Sequence, residues 1–184
     1  MKKWMIVVAL LVSGVVSKAQ DGRVADAGAI QWMGFEEAIA ASEKQPKKIF
    51  IDVYTEWCGW CKKMDKTTFV DPAVAKYMNE NYYPVKFDAE SSEPVHYKGV
   101  EFVKVMQAPG KGVHQLAAAL LQNKLSYPSY VLLDEEQKLL QVIPGYQEAK
   151  MFLPILHFFG DDAYKTTPWA DYYESFSQGD AKKE

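Results

Sequence analysis

The only cysteines of this 184-residue chain are Cys58 and Cys61, set in Trp57-Cys58-Gly59-Trp60-Cys61-Lys62 directly after the apolar, β-branched run at residues 49–55. A strand leading into two cysteines separated by two residues places both sulfurs on the first turn of a helix, where unpaired N–H groups and the helix dipole favour a thiolate. The chemistry this suits is thiol–disulfide exchange. Cys58, at the helix start, is expected to be the exposed nucleophile, with a thiol pKa lowered to about 3.5–7.5. Cys61, one turn further in and less exposed, is expected to resolve the mixed disulfide.

Other uses of the pair fit less well. A disulfide across two residues constrains the unfolded chain little, so it is a poor structural staple. Structural zinc takes four ligands, and the sequence holds no second cysteine pair and no histidine near the first. Haem attachment needs histidine after the second cysteine, where this chain has Lys62. His96, His114 and His157 lack ligand spacing and read as solvated or capping residues. The sequence therefore implies no metal and no bound cofactor.

Two more residues stand out against their surroundings. Asp52 interrupts an apolar strand, where an unpaired acid is costly; burial should raise its pKa and fit it to take a proton from Cys61. Pro128 stands at the head of the apolar run 130–133, where proline removes a ladder donor. Trp57 and Trp60 flank the thiols and offer apolar contact to a partner chain, although Trp57 serves packing equally well.

The elements that must position these residues follow from periodicity and punctuation. Residues 30–33 suggest a short edge strand, and 35–44 an amphipathic helix ended by Pro46. Residues 49–55 read as a central strand buried on both faces. The cysteine helix should run to about Lys66. Asp71-Pro72 supplies an N-cap and a first-turn proline for a helix to about Asn79. Residues 83–89 form the next strand. Residues 90–126 follow, 37 in all, with helical candidates at 100–106 and 113–122 separated by Pro109-Gly110-Lys111-Gly112. Strands at 130–133 and 139–143 pair as a hairpin, and a helix spans 148–159. Thr167-Pro168 can cap a short helix bearing Trp169, Tyr172, Tyr173 and Phe176, an aromatic tail expected to cover the sheet. The fold class is α/β: a mixed sheet covered by helices on both faces.

Between Phe35 and Phe159 the chain resembles the thioredoxin superfamily, and within it the exported bacterial thioredoxin-like proteins. Residues 57–62 are similar to the family's Trp-Cys-Gly-Pro-Cys-Lys. Asp52 lies six residues before the first cysteine, where thioredoxins keep a buried acid, and the comparison places Lys86 beside it. Tyr127-Pro128-Ser129 resembles an Ile-Pro-Thr whose proline is cis and faces the cysteines. Gly145 matches a glycine near the substrate groove. The resemblance implies a redox-active Cys58–Cys61 disulfide, a substrate groove formed by Trp57, Gly59, Trp60, Tyr127, Pro128 and Gly145, and backbone pairing of an extended substrate beside Tyr127. The chain departs from the family at Trp60, which replaces the motif's proline, and in the length of 90–126, which reads as an extra helical insertion.

The first residues set the expected compartment. Met1-Lys2-Lys3, thirteen largely apolar residues from Trp4 to Val16, and Ser17-Lys18-Ala19 have the order of a secretory signal cut after Ala19. Thirteen residues fall short of the roughly 20 that span a bilayer. Losing Lys2, Lys3 and Lys18 takes the formal charge from −3 to −6 over the remaining 165 residues. That acidity argues against nucleic acid or an anionic membrane surface as partner. The expected organisation is a signal peptide at 1–19, a flexible leader at 20–29, one domain at 30–176 and a frayed tail at 177–184. The expected role is a periplasmic protein-disulfide reductase, supplied with electrons by a membrane thiol carrier and acting on disulfide-bearing exported proteins. The alternatives are a disulfide-forming or isomerising enzyme on the same fold, or a non-catalytic binding module.

Overall fold

The computed structural model describes residues 28–180. The expected signal peptide, and nearly all of the expected leader, lie outside the described residues. Helix α1 (Phe35–Lys44) leads into strand β1 (Lys48–Tyr54), followed by α2 (Gly59–Lys66), α3 (Pro72–Asn81) and β2 (Tyr82–Asp88). Four short strands come next: β3 (Val95–Tyr97), β4 (Val100–Phe102), β5 (Lys104–Ala108) and β6 (Lys111–His114). The chain closes with α4 (Gln115–Leu120), β7 (Ser129–Leu133), β8 (Leu139–Pro144), α5 (Ala149–Gly160), a 3-10 turn at Ala163–Lys165 and α6 (Trp169–Asp180).

The main sheet has the order β2-β1-β7-β8. β1 runs parallel to β2 and antiparallel to β7, and β7 pairs antiparallel with β8. This is the mixed sheet expected from the sequence, with β1 inside it. The edge strand expected at 30–33 reduces to one bridge, Met33 to Val85.

Strand alternation divides β1 between two cores. Ile49, Ile51 and Val53 join Phe35 and Ala38 of α1 and Leu116, Ala117 and Leu120 of α4. Phe50 faces the other way, with Met64 of α2, Val74 and Met78 of α3, and Phe152 and Leu156 of α5. Asp52, two residues on from Phe50, therefore points its charge at the α2 side. The helix starts follow local chemistry. At α3 the Asp71 carboxylate accepts from the N–H groups of Ala73 (2.9 Å) and Val74 (3.1 Å), with Pro72 at the first helical position.

Two expectations need correction. The insertion at 90–126 holds more strand than helix: residues 100–102 lie in β4 and 104–106 in β5, and its helix is Gln115–Leu120. Valines at 95, 100, 103, 105 and 113 suit a pleated surface. Gly99 and Gly110, with φ of +77° and +72°, make the turns of the two hairpins. His114 ends the strands and starts α4. Its Nδ1 accepts from Leu116 N–H (3.1 Å), so Nε2 carries the hydrogen donated to the Glu93 carbonyl (3.1 Å). Burial lowers its pKa, in keeping with this neutral tautomer.

The second correction concerns the aromatic tail, which covers α5 rather than the sheet. Trp169 and Tyr172 of α6 lie 5.2 and 5.1 Å from Phe158, and Phe176 lies 5.3 Å from His157. α5 already occupies that face of the sheet, so its outer aromatic side is the apolar surface left for α6. α6 also continues to Asp180, four residues into the segment expected to fray.

Phe50 is the hub of the α2-side core. It is fully buried and meets the rings of Trp32, Phe69, Tyr82, Tyr130 and Phe152 at centroid distances of 5.7–6.4 Å. Truncation to alanine leaves a cavity that these rings, held by several partners each, can fill only in part. Phe50→Ala should cost about 3–5 kcal/mol of folding stability, read as a lowered urea midpoint at unchanged slope.

Candidate active site

β1 ends at Tyr54, and the chain turns so that Cys58 N–H donates to the Thr55 carbonyl (3.0 Å). Cys58 is the N-cap of α2, and its Sγ accepts a hydrogen bond from Cys61 N–H at 3.0 Å. Cys58 and Cys61 form a disulfide. The same N–H would meet a thiolate on Cys58 after reduction, the geometry by which a helix start stabilises that anion. Cys58 is only 4% exposed and Cys61 2%, so Cys58 is much less open than expected. In the oxidised pair Sγ is bonded to Cys61 and accepts its N–H, which keeps it over the first turn of α2.

The rim is aromatic. Trp57 and Trp60 are 66% and 57% exposed. Trp57 Nε1–H donates to Glu90 Oε1 (3.0 Å), and its ring meets Tyr127 edge-on at 5.9 Å. Trp60 lies 5.3 Å from Tyr146, with the Lys63 ammonium over both rings at 5.0 and 4.7 Å. These contacts bring the cysteine turn to the two loops at the ends of β7 and β8. There the Tyr127-Pro128 bond is cis, and the Gly145 N–H, at φ +90°, donates to the Pro128 carbonyl (2.8 Å). Gly59 opens α2 with nothing within 4 Å of where a Cβ would stand, which leaves the rim open beside the sulfurs. A groove of about 460 Å³ adjoins Trp57, between Tyr127 and Leu125 on one side and Lys111 and Val113 of β6 on the other.

Behind the disulfide lies a small charged cluster. Asp52 is 1% exposed. Its register partners are Lys86 on β2 and Tyr130 on β7. The Lys86 ammonium hydrogen-bonds directly to Asp65 of α2 and lies 3.4 Å from Asp52 Oδ2. At that separation Lys86 is an ion-pair partner, and both Asp52 oxygens lack a hydrogen-bond donor among the described residues. Burial pushes Asp52 from an ordinary carboxyl value of 3.8 up to about 7; Lys86 opposes the rise and Asp65 adds to it. Asp65 is four residues after Cys61, on the same face of α2. The carboxyl of Asp52 therefore lies on the α2 side of β1, linked through Lys86 to Asp65 on the helix face that also carries Cys61.

The structure thus gathers Cys58, Cys61, Trp57, Gly59, Trp60, Tyr127, Pro128 and Gly145 around one rim, with Asp52 and Lys86 beneath it. Sequence reasoning missed Asp65, Glu90, Lys63, Tyr130 and Tyr146. Asp65 had a signal, its i+4 spacing from Cys61, and Tyr146 directly follows Gly145. Glu90 had none, since only the fold brings it to Trp57. Among the described residues no group of three or more histidine, cysteine or acidic side chains is arranged to hold a metal ion. Nor is any described helix long and apolar enough to cross a membrane.

Comparison with known proteins agrees with this geometry. The family profile described as "Thioredox_DsbH: Protein of unknown function, DUF255" matches residues 23–143. The "Thiol:disulfide interchange protein DsbD" of Pectobacterium atrosepticum is 40% identical over 40 residues, 22% of this chain and 7% of that protein. The chain spans about a tenth of the length of the curated relatives it matches. Among solved structures, "DsbH Oxidoreductase" superposes with a TM-score of 0.52 at 20% identity, covering 79% of this chain and 92% of that one. A thioredoxin-fold protein from Helicobacter pylori gives 0.55 at 19% identity, covering 76% and 87%. The fold is the thioredoxin fold.

The displaced Asp52 carboxyl makes stability depend on pH. Its proton is held more tightly in the folded chain than in the unfolded one. Its contribution is therefore most favourable below about pH 4 and is lost progressively as pH rises towards about 7. Asp52→Asn removes the ionisation and should stabilise the oxidised protein at pH 8 by on the order of 2–4 kcal/mol, at about 1.4 kcal/mol per pH unit of displacement less the cost of burying an amide. Urea unfolding at pH 4 and pH 8 should show the gain at the higher pH only. An equal effect at both would mean that Asp52 does not titrate in this window.

Proposed function

The chain belongs to the Thioredox_DsbH (DUF255) family and is a thioredoxin-like disulfide oxidoreductase with Cys58 and Cys61 as its redox pair; from that premise we propose that it is an exported, periplasmic reductase of protein disulfides. In the reaction, the Cys58 thiolate attacks one sulfur of a substrate disulfide and expels the other as a thiolate, leaving a mixed disulfide. Cys61 then gives its proton to the Asp52 carboxylate and attacks the Cys58 sulfur. The second substrate sulfur leaves as a thiolate, and the two substrate thiolates take protons from solvent. Two electrons pass to the substrate, and the Cys58–Cys61 disulfide remains. Asp52 later releases its proton to water. A dithiol carrier, in this reading a membrane protein, returns the pair to the reduced state. Trp57, Trp60, Tyr127 and the groove beside them receive an extended segment of the substrate around its cysteine.

The direction rests on one observation, the buried acid beneath the cysteine helix. A strong oxidant owes its potency to a stabilised reduced form, in which the nucleophilic thiolate is held by surrounding charge and donors. Here Cys58 Sγ accepts one backbone N–H, and the acid buried on the α2 side of β1, Asp52, is a carboxyl without a hydrogen-bond donor among the described residues. A second negative charge at the thiol is disfavoured by that acid, which favours surrender of electrons.

Equilibration in thiol redox buffers, followed by tryptophan fluorescence, measures the direction. A potential near about −270 mV is expected, and one near about −120 mV would sink the reductase in favour of a disulfide-forming enzyme. Cys61→Ser, expressed with its export signal, should accumulate mixed disulfides through Cys58. Cys58→Ser should trap none and reduce nothing.

A further inference from the structure

We propose that Asp65 is a positioning residue of this site: it draws the Lys86 ammonium away from Asp52, and so leaves Asp52 able to hold the proton that Cys61 gives up. The proposal rests on the proton-transfer reading above and adds a residue outside the cysteine motif to it.

Lys86 lies within reach of two carboxylates and hydrogen-bonds to only one. Its ammonium bonds to Asp65, while Asp52 Oδ2 stays 3.4 Å away. Aromatic walls limit the ammonium's alternatives: it lies 5.4 Å from the ring of Trp32, 5.0 Å from Tyr54 and 5.6 Å from Phe69. Asp65 is 41% exposed and Asp52 1%. The acid at the surface thus keeps the cation at the mouth of the cluster, and the acid in the core goes without a hydrogen bond. A lysine bonded directly to Asp52 would hold it ionised, and a carboxylate so stabilised takes a proton from a thiol poorly.

The other groups around Asp52 leave Asp65 as the adjustable one. From β2 it is faced by Lys86, from β7 by Tyr130, whose hydroxyl has no hydrogen-bond partner among the described residues, and from its own strand by Tyr54. From α2 come Cys61 and Asp65. α5 contributes the apolar Phe152 and Leu156, and α3 contributes Val74, Met78 and Tyr77, whose hydroxyl is turned to Asp161 (2.6 Å). Burial is the main cause of the rise in the Asp52 pKa, and the charge of Asp65 adds to it. Removing Asp65 therefore acts twice in the same direction: a negative charge disappears, and Lys86 is freed to bond to Asp52.

The test is a carboxyl-carbon NMR titration of Asp52 in the full oxidised protein, with and without Asp65→Asn. The Asp52 midpoint should fall by about one pH unit or more, a tenfold change in acidity. Asp65→Glu, which keeps the charge, should return it towards the wild-type value. In parallel, the rate at which Cys61 resolves a preformed mixed disulfide on Cys58 should shift its pH profile downward by the same interval. A midpoint that stays or rises in Asp65→Asn overturns the assignment of Asp65 and leaves the reductase reading standing. A midpoint that falls while the rate profile stays put removes Asp52 from the proton transfer, and this proposal with it.

Discussion

Everything at this site depends on β1 being buried on both faces. A strand enclosed by helices on each side has nowhere to turn an ionisable side chain towards water, so Asp52 must be desolvated wherever it points. Strand alternation then decides its direction. Ile49, Ile51 and Val53 face α1 and α4, and Phe50 and Asp52 face α2, α3 and α5. Because α2 begins with the cysteines, the single charge within the apolar run lies beneath the one helix that carries redox chemistry. Domain size and net charge set only the context for this arrangement.

Within the cluster, desolvation and Coulomb attraction compete, and the geometry says which prevails. A cation at hydrogen-bond distance from a buried carboxylate ordinarily keeps it ionised and lowers its pKa by one to three units. Lys86 is close enough to attract Asp52 but bonds to Asp65, so burial dominates and Asp52 rises to about 7. The cost falls on folding stability at neutral pH, where the carboxyl changes charge. The exposed Asp65 and the partly exposed Lys86 form an ion pair that contributes little to stability as such. Its consequence lies in where the ammonium is held.

The elements nearest the cysteines were the most legible in the sequence. Asp52 betrayed itself as an acid in an apolar strand, Cys58 and Cys61 by their spacing, and Asp71-Pro72 by the chemistry of a helix start. Residues 90–126 were less legible. Leu116, Ala117 and Leu120 give a helical pattern, but β4 and β5 are short hairpin strands with mostly exposed residues, so their periodicity is not tied to a core. Valine content and the turns at Gly99 and Gly110 were better guides there. The side of the sheet reached by the aromatic tail was hidden for another reason: it depends on which surface α5 leaves uncovered. Asp65 was readable as a neighbour of Cys61 on α2, but its partner is on β2, and only the parallel register brings the two together.

That register shows why the site tolerates little drift. Asp52 sits opposite Lys86 on one side and Tyr130 on the other, so the acid, the cation and the phenol share one face of three adjacent strands. A slip of one residue in β1 would turn Asp52 into the apolar cluster beneath α1 and α4, and bring Ile51 and Val53 to the α2 side. Such a slip is opposed by the large residues on the same rows. Phe50 stacks on Tyr130 at 5.7 Å, and Tyr82 O–H donates to the Leu156 carbonyl at 2.6 Å. Both contacts need the strands in their observed pairing. The aromatic packing that stabilises the α2-side core therefore also fixes the carboxyl on that side of the sheet, through Phe50 two residues before Asp52 on β1 and through Tyr130, its register partner on β7.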